Sequence, residues 1–489
     1  MAEPETIPDT LPENSPATDG RVSAPRPSFQ HRLKVLGTII TIVASIGLIL
    51  KGLLGYFDVY HFASELIQPA KTHSVGNAAL AVANIAQLSI AVVPFENISA
   101  KTTQAALSQA ITQAVAVHLS HVPDYVAKNA SKADRNKNPQ QIGKELGVNY
   151  VLEGSVQRLN ERVAISVQLI DTNDGAQLWT DRFEDVAGDV FDLQDAIAGR
   201  ISNSLDIEMV KAAGVRLDAK NLQKPNAEYY AIKGRIAFHK LRTKENLQQA
   251  QALFQRALAL NPNQFDALVF LPLALDFEIL NFADEQKDEK AKLALEVADR
   301  AVQLNPTSGW AHGAKAQSFT PYGRYPEWIQ ECETAISLNS SLTQPRVLLA
   351  AGRFRTGEFA AAIAAGKQAI RISPKDPGIA YAWLHVGNSY AGMHRYDEAV
   401  KWLEQMRTLS PLVWRPHASL AVAYALQGNT EGAHQELAEA RRLFPQLSVN
   451  AYTQILQFKK PPIPGKEAPF IEFRDLSAKV LHDLGLPDK

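Results

Sequence analysis

Residues 383–411 read WLHVGNSYAGMHRYDEAVKWLEQMRTLSP. Counting back from Pro411, Trp383, Gly387, Tyr390 and Ala399 stand in large-small-large-small order. That order suits two helices packed side by side: Gly387 and Ala399 let backbones approach, while Trp383 and Tyr390 fill the space between neighbours. The same ending recurs along the chain as ALNP, QLNP, SLNS, RISP, TLSP and RLFP, closing at Pro262, Pro306, Ser340, Pro374, Pro411 and Pro445. The intervals are 44, 34, 34, 37 and 34 residues. From Pro445 the same offsets reach Tyr424, Ala433 and Ala440; from Pro262 they reach Ala250, Phe254 and Ala257, with Tyr230 and Gly234 on the preceding helix and a small insertion near Arg242. Trp328 departs from the pattern by standing at a small-residue position, and the 44-residue interval predicts a lengthened loop around Asp284 to Lys290.

This period and residue order resemble the tetratricopeptide (TPR) repeat. The resemblance implies about six helical hairpins over residues 225–447, stacked into an all-α solenoid. Residues 448–489 follow as a linker and a cap: after Pro461, Pro462 and Pro464, the run Phe470 to Leu484 carries Ile471, Leu476, Val480 and Leu484 and is expected to cover the last repeat. A curved stack of this kind offers a groove lined by first-helix residues, suited to a peptide or a partner helix. Gln317, Arg346, Phe354, Tyr381, Asn388 and Arg415 occupy outward positions between the packing residues and are the candidate partner-binding residues. They combine aromatic, amide and guanidinium groups, the side chains that dominate interface energetics; the plainer reading of any one of them is an ordinary solvated position. The set does not match the Lys/Asn carboxylate clamp of chaperone-binding repeats. A second copy of the chain, in a homo-oligomer, is a further partner to expect.

Upstream, the chain changes character. Leu88 to Val93 is a β-branched run ended by Pro94, and Leu107, Ile111, Val115 and Leu119 mark one face of a helix over Thr103 to Ser120. Asn138 and Pro139 open a helix that Gly147 closes. Tyr150 to Val156, Arg162 to Asp171 and Leu178 to Phe183 read as strands, the last two joined by a turn at Asn173-Asp174-Gly175. Asp189 caps a helix running through Ile197, Ile201 and Leu205. The stretches IAVVPFEN (90–97), GKELGVNYVLEGSV (143–156), QLID (168–171) with Gly175 and Leu178-Trp179, and VFDLQ (190–194) resemble the TolB amino-terminal-like domain. That resemblance implies an α+β unit over 88–212. In bacteria such units precede TPR repeats, often behind an adenylate cyclase or a CadC-type winged helix, neither of which this sequence contains.

The N-terminal 33 residues, rich in proline and acidic and small residues, read as a disordered cytoplasmic tail. Val35 to Tyr56, VLGTIITIVASIGLILKGLLGY, has Lys51 as its only charge and is long enough to cross a bilayer, so residues 34–56 are expected to form one transmembrane helix, followed by a connector over 57–87. A cleaved signal peptide and a buried soluble helix are the other readings of that stretch. Tyr56, Phe57, Tyr60 and Phe62 resemble an interfacial belt. Arg21, Arg26, Arg32 and Lys34 precede the run and only Lys51 and Lys71 follow closely, which by the positive-inside rule puts the tail in the cytoplasm and the C-terminal domains in the periplasm of a single-pass inner-membrane protein. The expected fold class is therefore α+β: a single transmembrane helix, a small TolB-like α/β domain, then the TPR solenoid.

Composition bounds the chemistry. The chain has 489 residues, 50 Lys+Arg against 51 Asp+Glu, and one cysteine, Cys332. The balanced charge disfavours bulk nucleic-acid binding, and a lone cysteine closes no internal disulfide. No Gly-rich phosphate loop, HExxH or GxSxG occurs. Asp171 to Gly175 mimics a calcium loop, but the glycine comes one place early and Arg182 stands where the twelfth-position Glu belongs, so a hairpin turn is favoured. His118 and His121 lack a third ligand. Asp181, Glu184, Asp185, Asp189, Asp192 and Asp195 suit the start of a helix. Trp179 reads as core, and Cys332 as buried and inert. The expectation is a protein with no enzymatic activity, cofactor or metal, a scaffold or sensor that binds a protein or peptide in its groove and the membrane through 35–56. The alternative is a signalling relative of the cyclase or CadC-type chains that acts through its cytoplasmic tail.

Overall fold

In the computed structural model the chain divides into two units, residues 1–75 and 76–489. The structure describes residues 88–99, 105–122, 125–160, 162–186, 190–219, 224–240, 243–282, 286–374, 377–456 and 468–489. The tail, the apolar stretch at 34–56 and the connector lie outside these residues.

The first part of the described chain is one mixed sheet. Strand β1 (Leu88–Val92) runs parallel to both β3 (Tyr125–Asn129) and β4 (Tyr150–Leu159). From β4 the chain continues antiparallel through β5 (Arg162–Asp171) and β6 (Gln177–Val186), giving the order β3-β1-β4-β5-β6, with the short β2 (Glu96–Asn97) pairing on β4. Val163, Ile165, Val167 and Leu169 of β5 all face the core, as the alternation of the sequence requires. That core lies under two helices. From α1 (Ala105–Ser120) come Ile111, Val115 and Leu119; α3 (Val190–Ala219) contributes Ile197, Ile201, Leu205 and Met209. Helix α2 (Pro139–Leu146) covers the other face, setting Ile142 against Ala91, Val93 and Val151. Asn138 caps α2 by accepting the Gln141 N–H at 2.8 Å, and Gly147 ends it at φ 63°, a conformation that favours glycine.

Helix α3 is longer than its apolar spacing suggested. It runs 30 residues, about 45 Å at 1.5 Å per residue, beyond the edge of the sheet domain. Near its end Arg216 pairs with Asp171 at 2.5 Å, donates to the Asn149 carbonyl at 2.9 Å and lies 4.4 Å from the centre of the Tyr150 ring.

Six helical hairpins follow: α4 (Ala227–His239) with α5 (Lys244–Leu260), α6 (Phe265–Asn281) with α7 (Lys287–Leu304), α8 (Gly309–Ser318) with α9 (Tyr325–Leu338), α10 (Gln344–Arg355) with α11 (Phe359–Ile372), α12 (Ala380–Gly392) with α13 (Tyr396–Leu409), and α14 (Trp414–Gln427) with α15 (Thr430–Leu443). The recurring sequence endings are C-caps. The N–H groups of Asn261, Asn305, Asn339, Ser373, Ser410 and Phe444 each donate to the carbonyl four residues earlier. A methyl group on Gly387 would come within 2.7 Å of Leu403, which is why that position is small, and Trp383 meets Trp402 with ring centres 4.8 Å apart. The hairpins form a tetratricopeptide-type solenoid.

Two expectations change. Helix α17 (Ala468–Asp483), which follows α16 (Val449–Leu456), packs along α12 and α14. It buries Phe470, Phe473, Ser477 and Leu481, while Ile471, Leu476, Val480 and Leu484 are only half-buried. Its rotation is set by Phe354, whose ring lies 5.3 Å from Phe470 and 5.7 Å from Phe473. The fold class also needs correction. Among the described residues no helix is long and apolar enough to cross a membrane. The most apolar of them, α6, has 17 residues against the ~20 a span requires, and it carries Asp266, Asp276 and Glu278. What the structure shows is a small sheet domain and a mostly helical solenoid. The expected single-pass inner-membrane placement, with periplasmic C-terminal domains, is corrected to the same extent: none of the described helices supplies a span to carry it.

Candidate functional site: the inner wall of the solenoid

First helices touch across repeats, α4 on α6, α6 on α8, α8 on α10, α10 on α12 and α12 on α14, which makes them the inner wall of the superhelix. Two elements of the same chain lie against it. Helix α3 is clamped at one end, where Arg235 of α4, fully buried, pairs with Asp206 of α3 and with Asp266 of α6, the latter at 3.0 Å. Further along, the Asn203 amide donates to the Ser341 carbonyl at 3.2 Å and to the Thr343 hydroxyl at 3.1 Å. Helix α17 covers the other end through the phenylalanines around Phe354. The winding is tight enough to meet itself: the Tyr381 hydroxyl donates to Asn281 at 2.5 Å and Arg415 donates to the Leu280 carbonyl, tying α12 and α14 to the end of α6.

Between α3 and the wall remains a cavity of about 120 Å³. Its apolar side is formed by Phe270, Phe277, Trp310, Trp328, Leu348 and Tyr381, and its polar side by Asn203, Gln317, Thr343, Gln344, Arg355, His385 and Arg415. Arg355, His385 and Arg415 also line a smaller adjoining pocket with Phe354 and Asn388. Burial weakens the hold of both guanidiniums on their protons: Arg355 falls to about 10, through desolvation and then repulsion from Arg415, and Arg415 is lowered by desolvation. Burial also pushes His385 well below its ordinary value, helped by the two arginines, so it is neutral at pH 7. Asp206 is the one carboxylate among the described lining residues, and Arg235 neutralises it.

The six residues singled out from the sequence are placed unevenly. Gln317, Tyr381 and Arg415 line the cavity, and Phe354 and Asn388 line the smaller pocket. Arg346 lies in neither lining and donates to the Leu342 carbonyl at 2.7 Å. None is a solvated groove position: Tyr381 is half-buried and the other five are buried. Sequence reasoning passed over Arg355 and His385. His385 lies between Trp383 and Gly387 on a first helix, so its position in the repeat was available; its charged neighbours come from other repeats and were not. The rejected motifs have structural roles. Asp171 holds Arg216 and accepts the Asn173 N–H at 2.8 Å, shaping a turn. Cys332 is fully buried, and burial raises its thiol. Among the described residues no group of three or more His, Cys, Asp or Glu could hold a metal ion.

Residues 86–200 match a family described as the second domain of HilA/YgeH-like transcriptional regulators. Over 231 residues the chain is 29% identical to a Rhizobium meliloti (strain 1021) protein named "Putative adenylate cyclase 3", a match that covers 46% of this chain. The chain spans only 39% of the length of that relative. Among solved structures it is similar to the Cut9–Hcn1 hetero-tetramer of the APC/C (14% identity, 55% of this chain and 48% of that one, TM-score 0.42), to PilF of Pseudomonas aeruginosa (16%, 45% and 93%, 0.34) and to MamA (19%, 34% and 97%, 0.28). The repeat fold rests on the hairpins themselves.

Proposed function

We propose that this chain is a non-enzymatic regulatory protein whose solenoid recognises a helix of a protein partner on its inner wall, in the manner of the scaffold or sensor expected from the sequence. One observation carries the reading. The wall already grips two helices of its own chain, α3 by a buried ion-pair triad and amide contacts and α17 by aromatic packing, which is the chemistry of helix-in-groove recognition. The match of 86–200 to a regulator domain supports the regulatory part of the proposal, and TolB-like character for 88–212 belongs to the same reading. In it, α17 is the built-in occupant that a partner helix displaces.

A photo-crosslinking amino acid at Tyr381, compared with one at Leu260 on the outer helices, tests this in cells. The expected result is a discrete adduct from position 381 alone that grows stronger when Phe470→Ala and Phe473→Ala loosen α17. Equal labelling from both positions, or an adduct unaffected by those substitutions, would overturn it.

A further inference from the structure

We propose that the cavity on the inner wall binds a small organic carboxylate, its head held by Arg415 and His385 and its apolar body lying among Trp328, Leu348 and Tyr381. This goes beyond recognition of a protein partner and stands whether or not that reading holds.

Arg415 is only 9% exposed and His385 7%. The Nε of Arg415 and the Nδ1 of His385 have no hydrogen-bond partner among the described residues, and both side chains line the cavity and the pocket beside it. Arg415 donates to a backbone carbonyl, which satisfies a proton but leaves the charge uncancelled. A buried cation costs several kcal/mol unless an anion accompanies it, and a buried donor left unmade costs a further ~1–3 kcal/mol. A carboxylate placed between the two groups relieves both, since the guanidinium fork matches its two oxygens and a neutral imidazole can still donate a proton. Arg355 lines the same space and makes the field there more positive, while the only carboxylate among the described lining residues is held by Arg235.

Size and walls narrow the ligand. A volume of about 120 Å³ is roughly ten times what one water molecule needs, which fits an acid of about ten non-hydrogen atoms. A bare inorganic anion would leave the tryptophan, leucine and tyrosine surfaces facing water, whereas an organic acid covers them. An extended peptide fits this space poorly, because α3 lies across the wall with Asn203 bonded to Ser341 and Thr343.

Isothermal titration calorimetry on the full chain provides the test, using octanoate, 3-phenylpropionate, their primary amides, inorganic phosphate and a blocked tripeptide ending in a free leucine carboxylate. At least one of the two acids is expected to bind one-to-one with Kd below about 1 mM, and its amide at least about tenfold more weakly. Arg415→Gln should lose about tenfold or more in affinity, and His385→Phe should weaken binding too. Melting curves establish that each variant folds; for one that does not, the acid and amide comparison on the parent chain decides the matter. The proposal is overturned if neither acid binds, if acid and amide bind alike, if phosphate or the tripeptide binds more tightly than the free acids, or if a folded Arg415→Gln chain binds like the parent.

Discussion

Asp276 shows how much a single residue in this wall depends on its surroundings. It sits on α6 with no solvent exposure, and burial holds its carboxyl well above the ordinary value of 3.8. Because the folded pKa is the higher one, the unfolded chain releases this proton first. The stability the group contributes is therefore complete below pH 3.8 and is lost as the pH rises towards the folded pKa. Asp276→Asn should be more stable than the parent at pH 7 by about 1–3 kcal/mol, and the advantage should vanish near pH 4. Chemical denaturation at both pH values checks it. An acidic residue in an apolar helix is visible in the sequence; that no cation among the described residues comes to meet it is not, because its neighbours are drawn from other repeats.

Within the hairpins, one element recurs that the spacing of large and small residues did not reveal. In α8 and α9, His312 bonds Glu331 at 2.5 Å and the Pro306 carbonyl at 3.0 Å. In α14 and α15, His417 bonds Glu436 at 2.6 Å and the Pro411 carbonyl at 3.3 Å. Each pair staples the two helices of a hairpin to its entry turn. Hydrogen bonding to Glu331 raises His312 above 6.5, and the pairing holds Glu331 below 4.5 even though burial opposes it. The histidine's contribution is thus whole below pH 6.5 and lost as the pH climbs through its raised value; the glutamate's is whole above 4.5 and lost as the pH falls through its lowered one. His312→Gln is expected to cost about 1 kcal/mol at pH 5.5 and less at pH 8.5, measured by thermal melting. The residues were legible at constant offsets from the recurrent proline, but a periodic histidine reads equally well as surface until its partner is seen.

At the scale of the whole molecule, the sheet domain and the solenoid are joined by the Arg235, Asp206 and Asp266 triad, with Arg235 lying 4.8 Å from the centre of the Phe270 ring. Removing the cation leaves two buried carboxylates facing each other. Arg235→Leu should therefore destabilise the chain by about 3–5 kcal/mol, whereas the triple change with Asp206→Leu and Asp266→Leu should recover most of that loss. Denaturant titration of the single and triple variants reads the difference.

The repeat, the capped helices and the alternating strands follow from the sequence alone, because helix and strand periods, glycine turns and proline stops act over a few residues. Spacing identified the six hairpin endings, and five of the six candidate residues line the cavity or its neighbour. What those residues face was decided elsewhere. Tyr381 reaches Asn281 across 100 residues and Arg415 reaches Leu280 across 135, so the groove predicted as open is closed by the superhelix and filled by α3 and α17. The sheet domain's last helix reads locally as an amphipathic segment with no hint of its second role. Curvature accumulates over every repeat and contact depends on the sum, so only the tertiary structure could turn a solvated groove into a buried, positively charged cavity.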